Sequence, residues 1–122
     1  MPPIPGPAWA CASAPTLYSA TMLTVIARIR ALPEHVAEVE RELRALVAPT
    51  RAEPGCINYD LHVSQHEHTV FVFYENWADR AALDAHAASP HMNAWKAKQR
   101  GLLAHAVEIN LLEMLTEAPW LA

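Results

Sequence analysis

The chain has little of what most cofactor, phosphate and disulfide sites are built from. It has three glycines, far apart in the sequence. No glycine-rich phosphate loop or dinucleotide fingerprint can be assembled from them. Two cysteines, Cys11 and Cys56, make no disulfide framework and point to free thiols in a reducing, cytoplasmic compartment. Cys56 follows Gly55 with no base within sequence reach, which argues against nucleophilic catalysis. Charged residues make up only 18%, the formal net charge is −4, and the nine Lys and Arg form no cluster. That excludes a nucleic-acid footprint. No apolar stretch approaches the length of a membrane span.

What is present is apolar. Hydrophobic residues make up 52% of 122 residues, enough for one domain with one core. A domain this small leaves much surface exposed, so self-association would help it. Residues 1–21 stand apart, with five of the ten prolines (Pro2, Pro3, Pro5, Pro7, Pro15) and no charged residue. They lack the basic start and continuous apolar centre of a secretory signal. They read as a proline-rich extension without regular structure, which Trp9, Leu17 and Tyr18 are able to anchor. The domain proper is expected over residues 22–116, with a tail at 117–122.

Alternation of Leu23, Val25, Ala27 and Ile29 predicts a strand over Leu23–Arg30. Pro33 suits a first helical position. Val36, Val39, Leu43, Leu46 and Val47 then fall on one helical stripe, with Glu40 and Arg44 paired on the wet side. Pro49 should bend or end this helix, and Pro54-Gly55 supplies a turn. Cys56–Ser64 and Thr69–Trp77 read as a hairpin joined by Gln65-His66-Glu67-His68. Asp79 can cap a short helix through Ala87. Ser89 and Pro90 start another, which Gly101 stops. Val107–Leu115 is the last strand. Strand, helix, strand, strand, helix pair, strand is the ferredoxin-like split pattern of an α+β fold, an antiparallel sheet with helices on one face.

The uncovered face should then be polar if it meets water. Instead Val70, Val72 and Tyr74 alternate with Phe71, Phe73 and Trp77. Ile26 lies opposite Val25 and Ala27, and Leu112 and Met114 lie opposite Ile109 and Leu111. Two apolar faces with one set of helices predict an isologous homodimer.

Several residues could carry chemistry. His86 follows Leu83 by three on a short helix and shares its inward face, as a core histidine or a working base. Glu75 shares a strand face with Phe71, Phe73 and Trp77, where a carboxylate needs a partner. That partner could be His86 or His91, or Arg28 across the sheet in a plain salt bridge. Trp77, Trp95 and Tyr59 offer flat walls for an aromatic ligand, or are core. Asn58 and His62 share a strand face and could hold a substrate oxygen, or could face solvent or a partner subunit. His62, His66 and His68 do not form a metal-ligand spacing, so no metal is expected.

Glu53-Pro54-Gly55-Cys56, the strand Ile57-Asn58-Tyr59-Asp60-Leu61-His62, Phe73-Tyr74-Glu75-Asn76-Trp77, Leu83-Asp84-Ala85-His86 and Ser89-Pro90-His91 follow one another in order. This run resembles the antibiotic biosynthesis monooxygenase family, small dimeric quinol-monooxygenase-like proteins, from about Met22 to Thr116. The resemblance implies a dimeric α/β-barrel-like assembly and oxygenation without metal, haem or flavin. It also implies that His86 is the family's helix histidine beside the pocket. On this expectation a quinol, phenolic or polycyclic aromatic substrate reacts with dioxygen, with His86 as base and Glu75 as its orienting partner. Haem degradation, found among relatives of this fold, is disfavoured. Residues 23–30 contain no asparagine, and 92–100 contain no histidine. An isomerase acting on a small oxygenated metabolite, or a non-catalytic binding dimer, remains the alternative.

Overall fold

The structure is a computed structural model and describes residues 21–120. The extension with Trp9, Leu17 and Tyr18 lies outside the described residues. Four strands, β1 (Leu23–Arg30), β2 (Cys56–Val63), β3 (Val70–Trp77) and β4 (Glu108–Leu112), form one antiparallel sheet in the order β2-β3-β1-β4. Its helices are α1 (Val36–Arg51), α2 (Arg80–Ala87) and α3 (Pro90–Lys98). This is the expected ferredoxin-like α+β fold. No helix among the described residues is long and apolar enough to cross a membrane.

Register follows from side-chain alternation. Ala27 pairs with Phe73, Ile29 with Phe71, and Leu61 with Phe73 on the other edge. These side chains meet Val39, Leu43 and Leu46 of α1 and Trp95 of α3 in one core. A register shift between Cys56 and Asn58 lets Cys56 and Tyr59, three apart, both face that core.

Chain punctuation is mostly as expected. The Asp79 carboxylate accepts from the Ala82 amide at 2.8 Å, and Ser89 Oγ accepts from the Met92 amide at 3.4 Å. Pro33 opens a short 3₁₀ turn ahead of α1. Pro49 does not end α1, which runs on to Arg51. It sits in the last turn, where little remains to be disrupted beyond its own missing N–H. The last strand stops at Leu112 instead of Leu115. Beyond it the chain crosses the uncovered face, where Met114 and Ala118 pack with Met22 and Ile57.

That face is more polar than the hydrophobic alternation suggested. The cross-strand pairs place Arg28, Asp60, Asn76, Glu108 and Asn110 among Ile26, Val72 and Tyr74. A buried polar chain runs across three strands. The Thr24 hydroxyl donates to Asn76 Oδ1 at 2.5 Å, and Asn76 Nδ2 donates to Asn58 Oδ1 at 2.8 Å. Exposed apolar side chains remain on both sides of edge strand β4, with Leu112 on the uncovered face beside Thr24 and Ile109 and Leu111 on the helix-covered side.

Candidate active site

An apolar cavity of about 180 Å³ opens between the sheet, α2 and α3. Tyr59, Phe73, Glu75, His86 and Trp95 line it, with Ile109 of β4 at its edge. A larger groove of about 410 Å³ runs between α1 and the end of β2, away from these groups. Its arginines are already paired, Arg44 to Glu40 and Arg51 to Asp60.

His86 sits near the end of α2 and is 4% exposed. Its ring lies 4.6 Å from the Trp77 ring and meets Tyr59 edge-on at 5.4 Å. Its Nδ1 is 2.8 Å from Glu53 Oε2, and the same oxygen is 2.8 Å from His91 Nε2. A carboxylate can only accept, so each imidazole donates to it. Nδ1 therefore carries the proton of neutral His86, leaving Nε2 as the basic nitrogen. Burial holds the imidazole below its ordinary value, against the opposing pull of Glu53, which favours neutral His86 at pH 7.

The expected orienting role of Glu75 is corrected here. Its carboxylate accepts from the Trp77 indole N–H at 2.8 Å, and the histidines belong to Glu53. The reason is the loop ahead of β2. Gly55 has φ +83°, and a Cβ there would stand 2.6 Å from Ala82 Cβ. Its carbonyl accepts from the Ala78 amide at 2.8 Å. This close approach brings Glu53 over α2 and the start of α3. Glu75 stays in the cavity wall, 4% exposed. Burial pushes its carboxyl up to about 7, the Trp77 hydrogen bond pulls it down, and the charge of Glu53 adds to the rise. Burial also raises the Tyr59 hydroxyl, and raises the Cys56 thiol to about 11, so Cys56 is no nucleophile at neutral pH.

Of the residues singled out from sequence, His86, Glu75, Tyr59 and Trp95 meet at the cavity. Trp77 and His91 stand behind it, through Glu75 and Glu53. Asn58 and His62 do not belong to it. They lie on the opposite sheet face, Asn58 in the polar chain and His62 exposed. Glu53 had no assigned role in the sequence, although Glu53-Pro54-Gly55-Cys56 had marked the place. The histidines able to share a cation are also not those of the hairpin. Glu53, His86 and His91 place ligand atoms within 4.8 Å of one another.

Comparison with known proteins agrees with this architecture. A solved structure of PA3566 from Pseudomonas aeruginosa superposes with a TM-score of 0.76 at 45% identity, covering 80% of this chain and 98% of that one. Rv0793 of Mycobacterium tuberculosis is 38% identical over 96 residues, 79% of this chain and 94% of its own length. Its structure superposes with a TM-score of 0.77. The Synechocystis protein sll1783 is 33% identical over 92 residues, 75% of this chain, and the match spans only 63% of that longer relative. The family model of antibiotic biosynthesis monooxygenases matches residues 22–98. This chain belongs to the antibiotic biosynthesis monooxygenase family.

Proposed function

We propose that this protein is a cofactor-independent monooxygenase that oxidises a small phenol or quinol with dioxygen, His86 acting as the base. The observation that carries this reading is the His86 geometry. One ring nitrogen is fixed by Glu53, and the ring lines an apolar cavity walled by Tyr59, Phe73 and Trp95. At about 180 Å³ the cavity is below the roughly 300–1,000 Å³ of common ligand clefts, so it suits one ring better than a polycycle.

In this reading the substrate is its own reductant. His86 Nε2 takes the phenolic proton, and the anion passes one electron to dioxygen. The resulting radical and superoxide combine into a ring peroxide, which regains the proton from His86. Loss of water leaves a new carbonyl. A phenol plus dioxygen thus gives a quinone plus water. The protein excludes bulk water, orients the ring and supplies a base that is neutral before each turnover.

We assign the working form as a homodimer in which a second copy covers β4. Ile109 is 63% exposed yet borders the cavity, so the chain alone leaves the site open on that side. Exposed Leu111, Leu112 and Leu115 extend the same apolar edge.

Oxygen uptake with simple quinols tests the reaction and separates it from an isomerase or a binding dimer, neither of which consumes oxygen. His86→Ala should lower turnover by roughly a hundredfold, and a non-ionisable analogue should still bind. Wild-type turnover in His86→Ala overturns the assignment. One observation favours a second base. Glu75 lies in the cavity wall with its carboxyl at about 7. If Glu75 is the base, the rate rises with a midpoint near that value and is lost in Glu75→Gln. If His86 is the base, the midpoint falls below 6.5 and persists in that variant.

A further inference from the structure

We propose that Glu53, His86 and His91 form a binding site for a divalent transition cation of the zinc class, and that its occupancy switches off His86 as a base. Two imidazoles and one carboxylate are a donor set that suits zinc, and also nickel or cobalt, but not calcium or magnesium.

The geometry is close to what such an ion needs. Glu53 Oε2 is 2.8 Å from His86 Nδ1 and 2.8 Å from His91 Nε2, and all three ligand atoms fall within 4.8 Å. Zinc bonds of about 2.0–2.2 Å in a tetrahedron set the ligand atoms about 3.3–3.6 Å apart. The two hydrogen-bonded separations must each open by about 0.5–0.8 Å. Glu53 and His91 have room for that, with side chains 14% and 21% exposed, while His86 at 5% is fixed. Among the described residues the other hydrogen-bond partner of His91 is Ser89 Oγ at 3.3 Å. The partial exposure of His91 also gives the ion a way in and leaves a coordination position for water.

The electrostatics agree. The cluster offers a cation one carboxylate oxygen and two imidazole nitrogens. The nearby ammonium of Lys96 is bonded to the Ala87 carbonyl at 2.6 Å. The three ligands come from separate elements, the Gly55 loop, α2 and the start of α3, so a bound ion would lock these together.

A consequence follows for the reaction proposed above, and it rests on that reading. A metal on Nδ1 displaces the proton now donated to Glu53. Neutral His86 then carries its proton on Nε2, where it is a donor and cannot accept a proton from substrate.

Calorimetric titration of ZnCl₂ into the chelator-stripped full chain tests the site without any substrate. One zinc per chain is expected, with affinity reduced at least about tenfold in His91→Ala and in Glu53→Gln. His91→Ala removes a partly exposed side chain, and matching far-UV circular dichroism confirms that it folds. A His66→Ala/His68→Ala double variant should bind as wild type does, and cobalt loading should give a spectrum without thiolate charge transfer. Unchanged affinity in both ligand variants, or no stoichiometric binding, overturns the site. Zinc binding that leaves quinol oxidation untouched keeps the site and overturns the base role of His86 instead.

Discussion

Replacing Glu75 with glutamine should make this protein more stable at mildly alkaline pH, although it alters a buried polar residue beside the cavity. Glu75 is 4% exposed and its carboxyl is pushed from 4.5 to about 7, chiefly by burial. A carboxyl raised in this way binds its proton more tightly folded than unfolded. Wild-type stability therefore falls as pH climbs from about 4.5 through about 7, and the loss is complete above that. At about 1.4 kcal/mol per pH unit, the full loss is roughly 3 kcal/mol. Glutamine cannot ionise, and its Oε1 can still accept the Trp77 indole N–H now bonded at 2.8 Å. Its new NH₂ needs a partner in an apolar wall, which takes back about 1–2 kcal/mol at every pH. The net expectation is a variant about 1–2 kcal/mol more stable than wild type near pH 8 and less stable near pH 4.5. His86 contributes the opposite slope, losing stability as pH falls below 6.5, but both proteins carry it and it cancels in the difference. Urea unfolding at fixed protein concentration, repeated across pH, measures that difference directly. A variant destabilised equally at both pH values would refute the reasoning, because Glu75 would then carry no ionisation penalty in the folded state.

Three further outcomes follow. Gly55→Ala meets both a positive φ and a 2.6 Å approach to Ala82, so it should cost about 1–3 kcal/mol and displace Glu53 from the histidines. An unchanged melting temperature would show that the loop relaxes freely. Leu111→Asp, on an edge strand and 47% exposed, should leave the single chain folded while light scattering falls from two-chain to one-chain mass; a wild-type protein already of one-chain mass contradicts the dimer. A chain trimmed to begin at Met22 should fold and keep oxygen uptake, and insolubility would mean that the extension covers apolar surface.

The fold was legible because its signals are local and repeated. Period-two alternation in β1 and β3, the stripe through Val39, Leu43 and Leu46, and the caps at Asp79 and Ser89 each specify an element independently. They also agree with one another. The uncovered face was misjudged because only its apolar residues were weighed. Arg28, Asn76 and Asp60 occupy the same alternating positions as Ile26 and Tyr74, and the hydrogen bonds from Thr24 through Asn76 and Asn58 to Asp60 cross strands in ways that no single strand reveals.

The site was only half legible, and the missing half has a physical reason. His86 could be placed on an inward face because three-residue spacing on a helix is a local rule. Glu75 could be placed beside Trp77 because two-residue spacing on a strand is another, and that is the contact it makes. Glu53 is 33 residues from His86 and 38 from His91, in a loop with no periodicity. Its direction is set by one backbone conformation at Gly55 and one close contact with Ala82. A carboxylate in a loop beside a proline and a glycine reads as a solvated turn residue. It becomes the partner of both histidines only when the absent Cβ of Gly55 lets that loop settle against α2. The glycine spaced two residues after the glutamate was therefore the signal available in the sequence. Its meaning lay in a steric fit between two segments that the sequence keeps apart.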